Sequence, residues 1–410
     1  MSTSKHINAF CIAVLIITLL LTVAFIKGKD LGIAPVTEEE TADSYFTAND
    51  QSADWDTSGA TEIMLSDSGS SVKGDGAYVF GGDVYIVSAG RYVLSGELTG
   101  GSVIIDAGKK DKVWLLMDGA SLHANDTAAL LVQQAGKVFL TLGSGTENSI
   151  SCGSEFSEDA ASAGIDGAVY ARDDLTINGS GVLTVTGEYR HGIVCKDDLV
   201  ITGGTIGITA AQDGIHVSDS AGFKGADLTI NAGDDGITVS NDEETGYVYI
   251  ESGDIQIPSC YEGIEANEIT IAGGTIYITP TDDGINACGR GANSVINITG
   301  GDITIINETG RDADGLDSNG SIYISGGTVF ISVSDAGGSS CAIDYGSENG
   351  GICEINGGTV VAAGSSAKAG EIAASSKQCF IMYSTQTVSP KTAVTLQNSA
   401  GTVLLSEIIP

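Results

Sequence analysis

The chain has 410 residues, a formal net charge of −35, 57 glycines and only 5 prolines. So negative a surface repels nucleic-acid phosphates, which excludes DNA and RNA as partners; acidic polysaccharides would be repelled as well, unless bound cations reverse the sign locally. Glycine without a strict Gly-x-y period, and with little proline, excludes collagen and a proline-rich disordered chain.

Taken from the N-terminus, residues 7–26 are nearly uncharged, with Lys5 before them and Lys27 and Lys29 after. That length spans a bilayer, and no small-residue cleavage motif follows it. Residues 1–30 are therefore expected to form an uncleaved signal anchor, with a cleaved signal peptide as the alternative. Either places the acidic remainder outside the cell. Residues 31–60 lose periodicity and turn acidic and polar, as a linker does. From about Glu62 to Ile150 longer alternating strands appear, such as Val84-Tyr85-Ile86-Val87 and Val138-Phe139-Leu140-Thr141-Leu142. They predict the opening coils and a cap over the first exposed edge.

From about Asp166 to Thr359 one phrase is rewritten coil after coil. It opens with an acid, Gly and an aliphatic residue: Asp213-Gly214-Ile215, Asp235-Gly236-Ile237, Glu262-Gly263-Ile264, Asp283-Gly284-Ile285, Asp314-Gly315-Leu316. An alternating strand follows, such as Val248-Tyr249-Ile250. The phrase closes on Gly-Gly-Thr/Asp and a second strand, as in Gly273-Gly274-Thr275-Ile276. Gly192, Gly214 and Gly236 are 22 residues apart, and Gly263 and Gly284 are 21 apart. Short period-2 strands repeated at this interval predict an all-β solenoid; no segment has the apolar rhythm of a helical repeat. Each coil has an aliphatic face that only stacking, about 4.8 Å per rung, can bury. The solenoid is expected over 61–362, with residues 363–410 as strands that cap its other end. Seven cysteines follow Cys11 without any Cys-x-x-Cys spacing, which leaves zinc-ribbon and dithiol redox motifs unsupported. Alternation puts Cys195 and Cys353 on the inward ladder, where a thiol acts as a small apolar group.

Alternation also fixes where the acids stand. If Ile237, Ile264, Ile285 and Leu316 point inward, then Thr238, Glu265, Asn286 and Asp317 point outward in one column. A second column holds Asp213, Asp235, Glu262, Asp283 and Asp314, and Asp234, Asp282 and Asp312 lie nearby. Carboxylates about 5 Å apart repel and raise one another's pKa. A calcium ion, which takes six to eight oxygens in adaptable geometry, resolves the conflict. The competing reading is that each acid merely caps an Asx-Gly turn. The candidate ligands are Asp234, Asp235, Glu262, Glu265, Asp282, Asp283, Asn286, Asp312, Asp314 and Asp317, with Asp344 at the next equivalent position, where Cys341 replaces the acid. His216 shares the outward column and is expected to be a spectator.

The run from about Asp54 to Thr359 resembles a family of clostridial cell-surface carbohydrate-binding proteins. The likeness rests on Ser88-Ala89-Gly90-Arg91-Tyr92-Val93-Leu94-Ser95-Gly96, on Leu140-Thr141-Leu142-Gly143-Ser144-Gly145-Thr146-Glu147-Asn148, and on the Asp-Gly-Ile series. It implies a right-handed parallel β-helix with calcium between coils, and binding of cellulose and polygalacturonate. The repeat is also similar to family 9 polysaccharide lyases, whose Asp-Asp-Gly-x-Asp phrase binds calcium. Asp282-Asp283-Gly284-Ile285-Asn286 matches that phrase except at its last acid, and Asp234-Asp235-Gly236-Ile237-Thr238 loses that last ligand.

A lyase needs a base, usually Lys or Arg beside the calcium, to remove the C5 proton. Arg311, next to Asp312, is the candidate for such a base or for a uronate clamp; the alternative is an ordinary surface ion pair. Paired carboxylates can be drawn almost anywhere on so acidic a face, so they specify no glycosidase. Binding has more to draw on: Tyr249 and Tyr323 in one outward column, Tyr277 and Phe330 in another, all flat faces suited to sugar rings unless they reflect strand propensity alone. The expectation is an extracellular, calcium-stabilised binder of plant-type or cell-wall polysaccharide, cellulose or polyuronate, with no catalytic residues. A calcium-dependent pectate lyase and a structural surface adhesin are the alternatives.

Overall fold

Stacking of the repeated phrase produces a parallel β-helix whose coils have three faces. The computed structural model describes residues 45–241, 243–289, 294–308, 313–334, 339–365, 370–384, 389 and 391–409. The expected anchor at 7–26 and residues 31–44 of the expected linker lie outside them. The aliphatic residue after each acid-Gly pair opens a three-residue strand on the first face: Ile215–Val217, Ile237–Val239, Ile264–Ala266, Ile285–Ala287 and Leu316–Ser318. The second face carries Ser220–Phe223, Tyr247–Ile250, Glu268–Ile271, Val295–Ile298 and Ser321–Ile324. The third carries Ala226–Ala232, Gly253–Cys260, Thr275–Pro280, Asp302–Asn307 and Thr328–Val333. Each strand pairs in parallel with its counterpart one coil on.

Register is held by the inward ladder. Ile193, Ile215, Ile237, Ile264, Ile285 and Leu316 align rung on rung along the first face, and all are fully buried. A one-residue slip would send every one of them to solvent. Cys195 and Cys353 are buried in the same core, as the alternation predicts.

The glycines do two different jobs. A Cβ on Gly263 would meet the Gly284 carbonyl oxygen at 2.3 Å and Ile278 Cγ2 at 2.5 Å. The glycine after the acid is thus demanded by close approach of the next rung, not by its φ. The second glycine of the Gly-Gly turn is different: Gly274 has φ +91°, a conformation that a side chain strains.

The ends depart from the expectation in detail. The N-terminal edge is covered by an antiparallel pair, Ala77–Phe80 with Asp83–Ile86, as a cap requires. Part of the stretch expected as linker packs on the solenoid: Phe46 to Ser52 lies across the second face. Its short helix, Ala48–Gln51, is held by the buried Asp50, whose carboxylate meets Lys137 Nζ at 2.9 Å and accepts from Thr176 Oγ1 at 2.6 Å. Asn178 and Thr202 bond its backbone carbonyl. At the other end Ile372 bridges Cys353 and Ala373 N–H donates to the Cys353 carbonyl, so residues around 372 add part of a coil. The hairpin Thr392–Gln397 with Val403–Ile409 forms a sheet of its own.

Candidate functional site

The corner between the third and first faces gathers the acids. Pairing of the first-face strands stacks Asp213, Asp235, Glu262, Asp283 and Asp314 in one column, with Cys341 in the next rung. Three residues on, His216, Thr238, Glu265, Asn286 and Asp317 form the outward column, and Asp344 follows Ile343, the partner of Leu316. Both columns are those that alternation predicts. Arg311 and Asp312 lie outside the described residues.

The corner aspartates each use one oxygen structurally. Asp235 Oδ1 accepts the Glu262 backbone N–H at 3.0 Å, Asp283 Oδ1 that of Asp314 at 2.7 Å, and Asp314 Oδ1 that of Cys341. The turn-capping role is therefore real, but its partner is the next rung rather than the acid's own turn. The second oxygen faces the outward column: Asp235 Oδ2 accepts from Thr238 Oγ1 at 3.1 Å, and Glu262 Oε2 from Asn286 Nδ2 at 3.0 Å.

Crowding of these oxygens sets the electrostatics. Carboxylate oxygens of Asp235, Glu262 and Glu265 lie within 4.8 Å of one another, as do those of Asp213, Asp234 and Asp235. Burial, then the Glu265 charge, pushes the Glu262 carboxyl up to about 9 despite the bond from Asn286. Asp283 is pushed up to about 8 by burial and by Asp317, Asp282 and Asp314. Asp235 is raised as well, by burial and the charges of Glu265, Asp213 and Asp234. At the far end Asp314, Cys341 and Asp344 donor atoms also converge within 4.8 Å. Burial, with the Asp314 and Asp344 charges, drives the Cys341 thiol strongly up, so a neutral thiol weakens that end as a cation site. The head of the column behaves oppositely. Burial works against the charge of Asp213, yet His191 and His216 overcome it and hold the carboxyl well below the usual range.

Two residues of this corner escape a reading by acid pattern. His191 occupies the acid's place before Gly192, one rung above Asp213. Tyr261 stands where neighbouring coils have Asp234 and Asp282: its N–H donates to the Asp234 carbonyl, and its own carbonyl accepts from Asp282 N–H. It is 48% exposed, and a hydrogen bond to the Asp282 side chain pushes its phenol up to about 12. A break of residue type within a repeated position is the signal for both.

The four strand aromatics sit in the columns expected of them. Tyr249 and Tyr323 share a second-face column with Thr270 and Asn297 between. Tyr277 and Phe330 share a third-face column across Thr304. None of the four is fully exposed, and the Tyr249 ring lies 5.9 Å from that of Phe46. The described cations of the repeat have partners of their own. Lys224 pairs with Glu251 at 2.7 Å, Arg172 donates to the Ala163 carbonyl, and Lys196 and Arg190 lie over Tyr170 and Tyr189.

Comparison with known proteins adds three findings. A family model described as "Carbohydrate-binding domain-containing protein" matches residues 80–370. A carbohydrate-binding domain-containing protein of Acetivibrio thermocellus is 34% identical over 137 residues, which is 33% of this chain and 48% of the relative. The match thus spans about half the length of that curated relative. A solved structure, the polysaccharide lyase-like protein from C. thermocellum as a gadolinium derivative, is 27% identical with a TM-score of 0.49, covering 73% of this chain and 98% of that one.

Proposed function

The chain belongs to the family of carbohydrate-binding domain-containing proteins, and on that premise we propose that it is an extracellular polysaccharide binder that holds calcium along its acid corner and does not cleave its ligand. The observation that carries this reading is the unbroken line of corner carboxylates from Asp235 to Asp314, with the exposed ring of Tyr261 set into it. The donor set fits calcium: it is all oxygen, adjacent coils supply it, and Glu262 and Asp283 carry pKa values that disfavour full ionisation without a counter-ion. Asp235, Glu262 and Glu265 would form one site and Asp283, Asn286 and Asp317 the next, with Asp234, Asp282, Asp314 and Asp344 adding charge. Calcium held there supplies positive charge for the carboxylates of a polyuronate. A neutral glucan such as cellulose would lie against Tyr261 and the strand aromatics Tyr277, Tyr323 and Phe330.

Binding without cleavage is favoured by the engagement of Arg172, Lys196 and Lys224 away from the corner. Calcium-dependent retention of the purified protein on polygalacturonate or insoluble cellulose, without unsaturated product in the supernatant, is the expected result. A calcium-dependent rise in unsaturated-uronate absorbance would replace the binder by a lyase. No retention on any polysaccharide would leave a structural surface protein.

A further inference from the structure

The head of the corner column has a different chemistry from the rest of it. His191 replaces the acid one rung above Asp213, and His216 stands three residues after it. Nδ1 of His216 lies 2.8 Å from Asp213 Oδ2, and Nδ1 of His191 lies 3.1 Å from the same oxygen. The two rings stack with centroids 4.7 Å apart, and one donor atom from each of the three residues falls within a 4.8 Å cluster. His191 and Asp213 are buried, and His216 opens the cluster to solvent on one side.

Nδ1 of His191 is approached from two sides, by the Asp213 backbone N–H, with the two nitrogens 3.2 Å apart, and by Asp213 Oδ2 at 3.1 Å. A cation drawn to that nitrogen would take the lone pair from the N–H contact and turn the close approach of nitrogen and carboxylate into shared ligation. The outer surroundings fit as well. Nε2 of His191 faces Asp166 Oδ2 at 4.0 Å, and Asp166 Oδ1 is buried with no hydrogen-bond partner among the described residues. A carboxylate behind the far nitrogen of a ligating imidazole fixes the ring and raises its basicity.

Two imidazoles and one carboxylate are not calcium chemistry; they suit zinc and its neighbours, with a fourth position left open. Ligands about 2.0–2.1 Å from a tetrahedral ion lie about 3.3 Å apart, close to the spacings that the fold already imposes. We propose that His191, Asp213 and His216 form a binding site for a divalent transition-metal ion of the zinc type, oriented by Asp166 and distinct from the oxygen-only column that follows. The site does not depend on the calcium reading.

The full chain, stripped of metal and then saturated with calcium so that the oxygen column is filled, is titrated with cobalt(II) as a visible probe and with zinc chloride as competitor. One equivalent of cobalt(II) is expected to give intense d–d bands that zinc abolishes. His216→Thr copies the residue of the next coil and so keeps the fold; it should lose the bands and weaken zinc binding at least about tenfold. Asp166→Asn should weaken zinc about 10–100-fold while keeping the band positions. Glu262→Gln, which strikes the oxygen column, should leave the cobalt spectrum as it is. Absence of the bands in the calcium-loaded chain, or their survival in His216→Thr, overturns the proposal. So does equal loss in Glu262→Gln, whereas failure of polysaccharide binding alone leaves it standing.

Discussion

The outward column of the first face changes character halfway along the molecule, while the inward ladder beside it does not. In the N-terminal half it reads Ile104, Leu131, Tyr170 and Val194, paired rung on rung. These four are buried with Ala160 and Ile165, which belong to and follow the short helix Glu158–Ser162, and with Phe156 beside them. In the C-terminal half the same column reads His216, Thr238, Glu265, Asn286 and Asp317, and the acids concentrate at its corner. Backbone pairing and inward packing are alike in both halves. The side chain turned outward thus decides whether a coil contributes to a second core or to a site. One half gains roughly 1.5–3 kcal/mol for each large apolar side chain covered; the other holds charges that stability alone does not favour.

The largest expected effect tests that contrast directly. Leu131→Ala should cost about 2–5 kcal/mol, because it removes covered apolar volume and leaves a cavity. Glu265→Ala, at the equivalent outward position of the other half, should move stability by less than about 1 kcal/mol in metal-free buffer, and upward, since it relieves repulsion with Glu262 and Asp235. Urea midpoints of the two variants measure this. Equal losses at both positions would mean that the acidic half is packed as a core too.

A smaller effect, about 2.7 kcal/mol per site at a hundredfold excess over the dissociation constant, separates the halves by pH and calcium. Glu262 and Asp283 have folded pKa values raised to about 9 and about 8, against roughly 4 when unfolded. A group raised in this way stabilises the fold fully below its unfolded pKa, and that contribution is lost as pH rises through the folded value. The metal-free protein should therefore melt progressively lower from about pH 5 towards pH 9. Asp213, held low, acts in the opposite sense but only in acid below that window. Calcium should lift the melting temperature most at the alkaline end. A melting temperature flat in pH and indifferent to calcium would remove the electrostatic conflict from which the metal reading starts.

The coils themselves were legible because two local rules, alternation and the acid-Gly-aliphatic phrase, repeat without interruption from Asp213 to Leu316. The same rules placed Cys195, Glu265, Asn286 and Asp317 on the sides where they are found. Single deviations from the phrase were not legible as sites: His191 and Tyr261 gain their meaning only from the rungs above and below. The strap from Phe46 was hidden for another reason. Asp50 is bonded to Thr176 and Thr202, which are 126 and 152 residues away, and no local pattern encodes such contacts. The helix Glu158–Ser162 is too short to show a periodicity, so the covered half looked like more of the same sheet.

The smallest effect decides which surface meets the sugar. Tyr261 is the aromatic ring set into the open half's corner, half exposed and tied through its hydroxyl to Asp282. If it is a platform beside calcium, Tyr261→Ala should weaken retention on polysaccharide by about 1 kcal/mol, roughly fivefold. Tyr261→Phe should keep nearly all of it, since the ring face does the stacking. Stability should stay within about 0.5 kcal/mol, as for an exposed substitution away from the core. Tyr249→Ala provides the contrast: its ring packs against Phe46, so the change should lower stability before it touches binding. Affinity electrophoresis in polygalacturonate and depletion on insoluble cellulose read both variants. Were Tyr261→Ala to bind like the unaltered chain while Tyr323→Ala lost retention, the sugar would lie on the second face, and the acid corner would be a metal-held seam between coils rather than the binding surface.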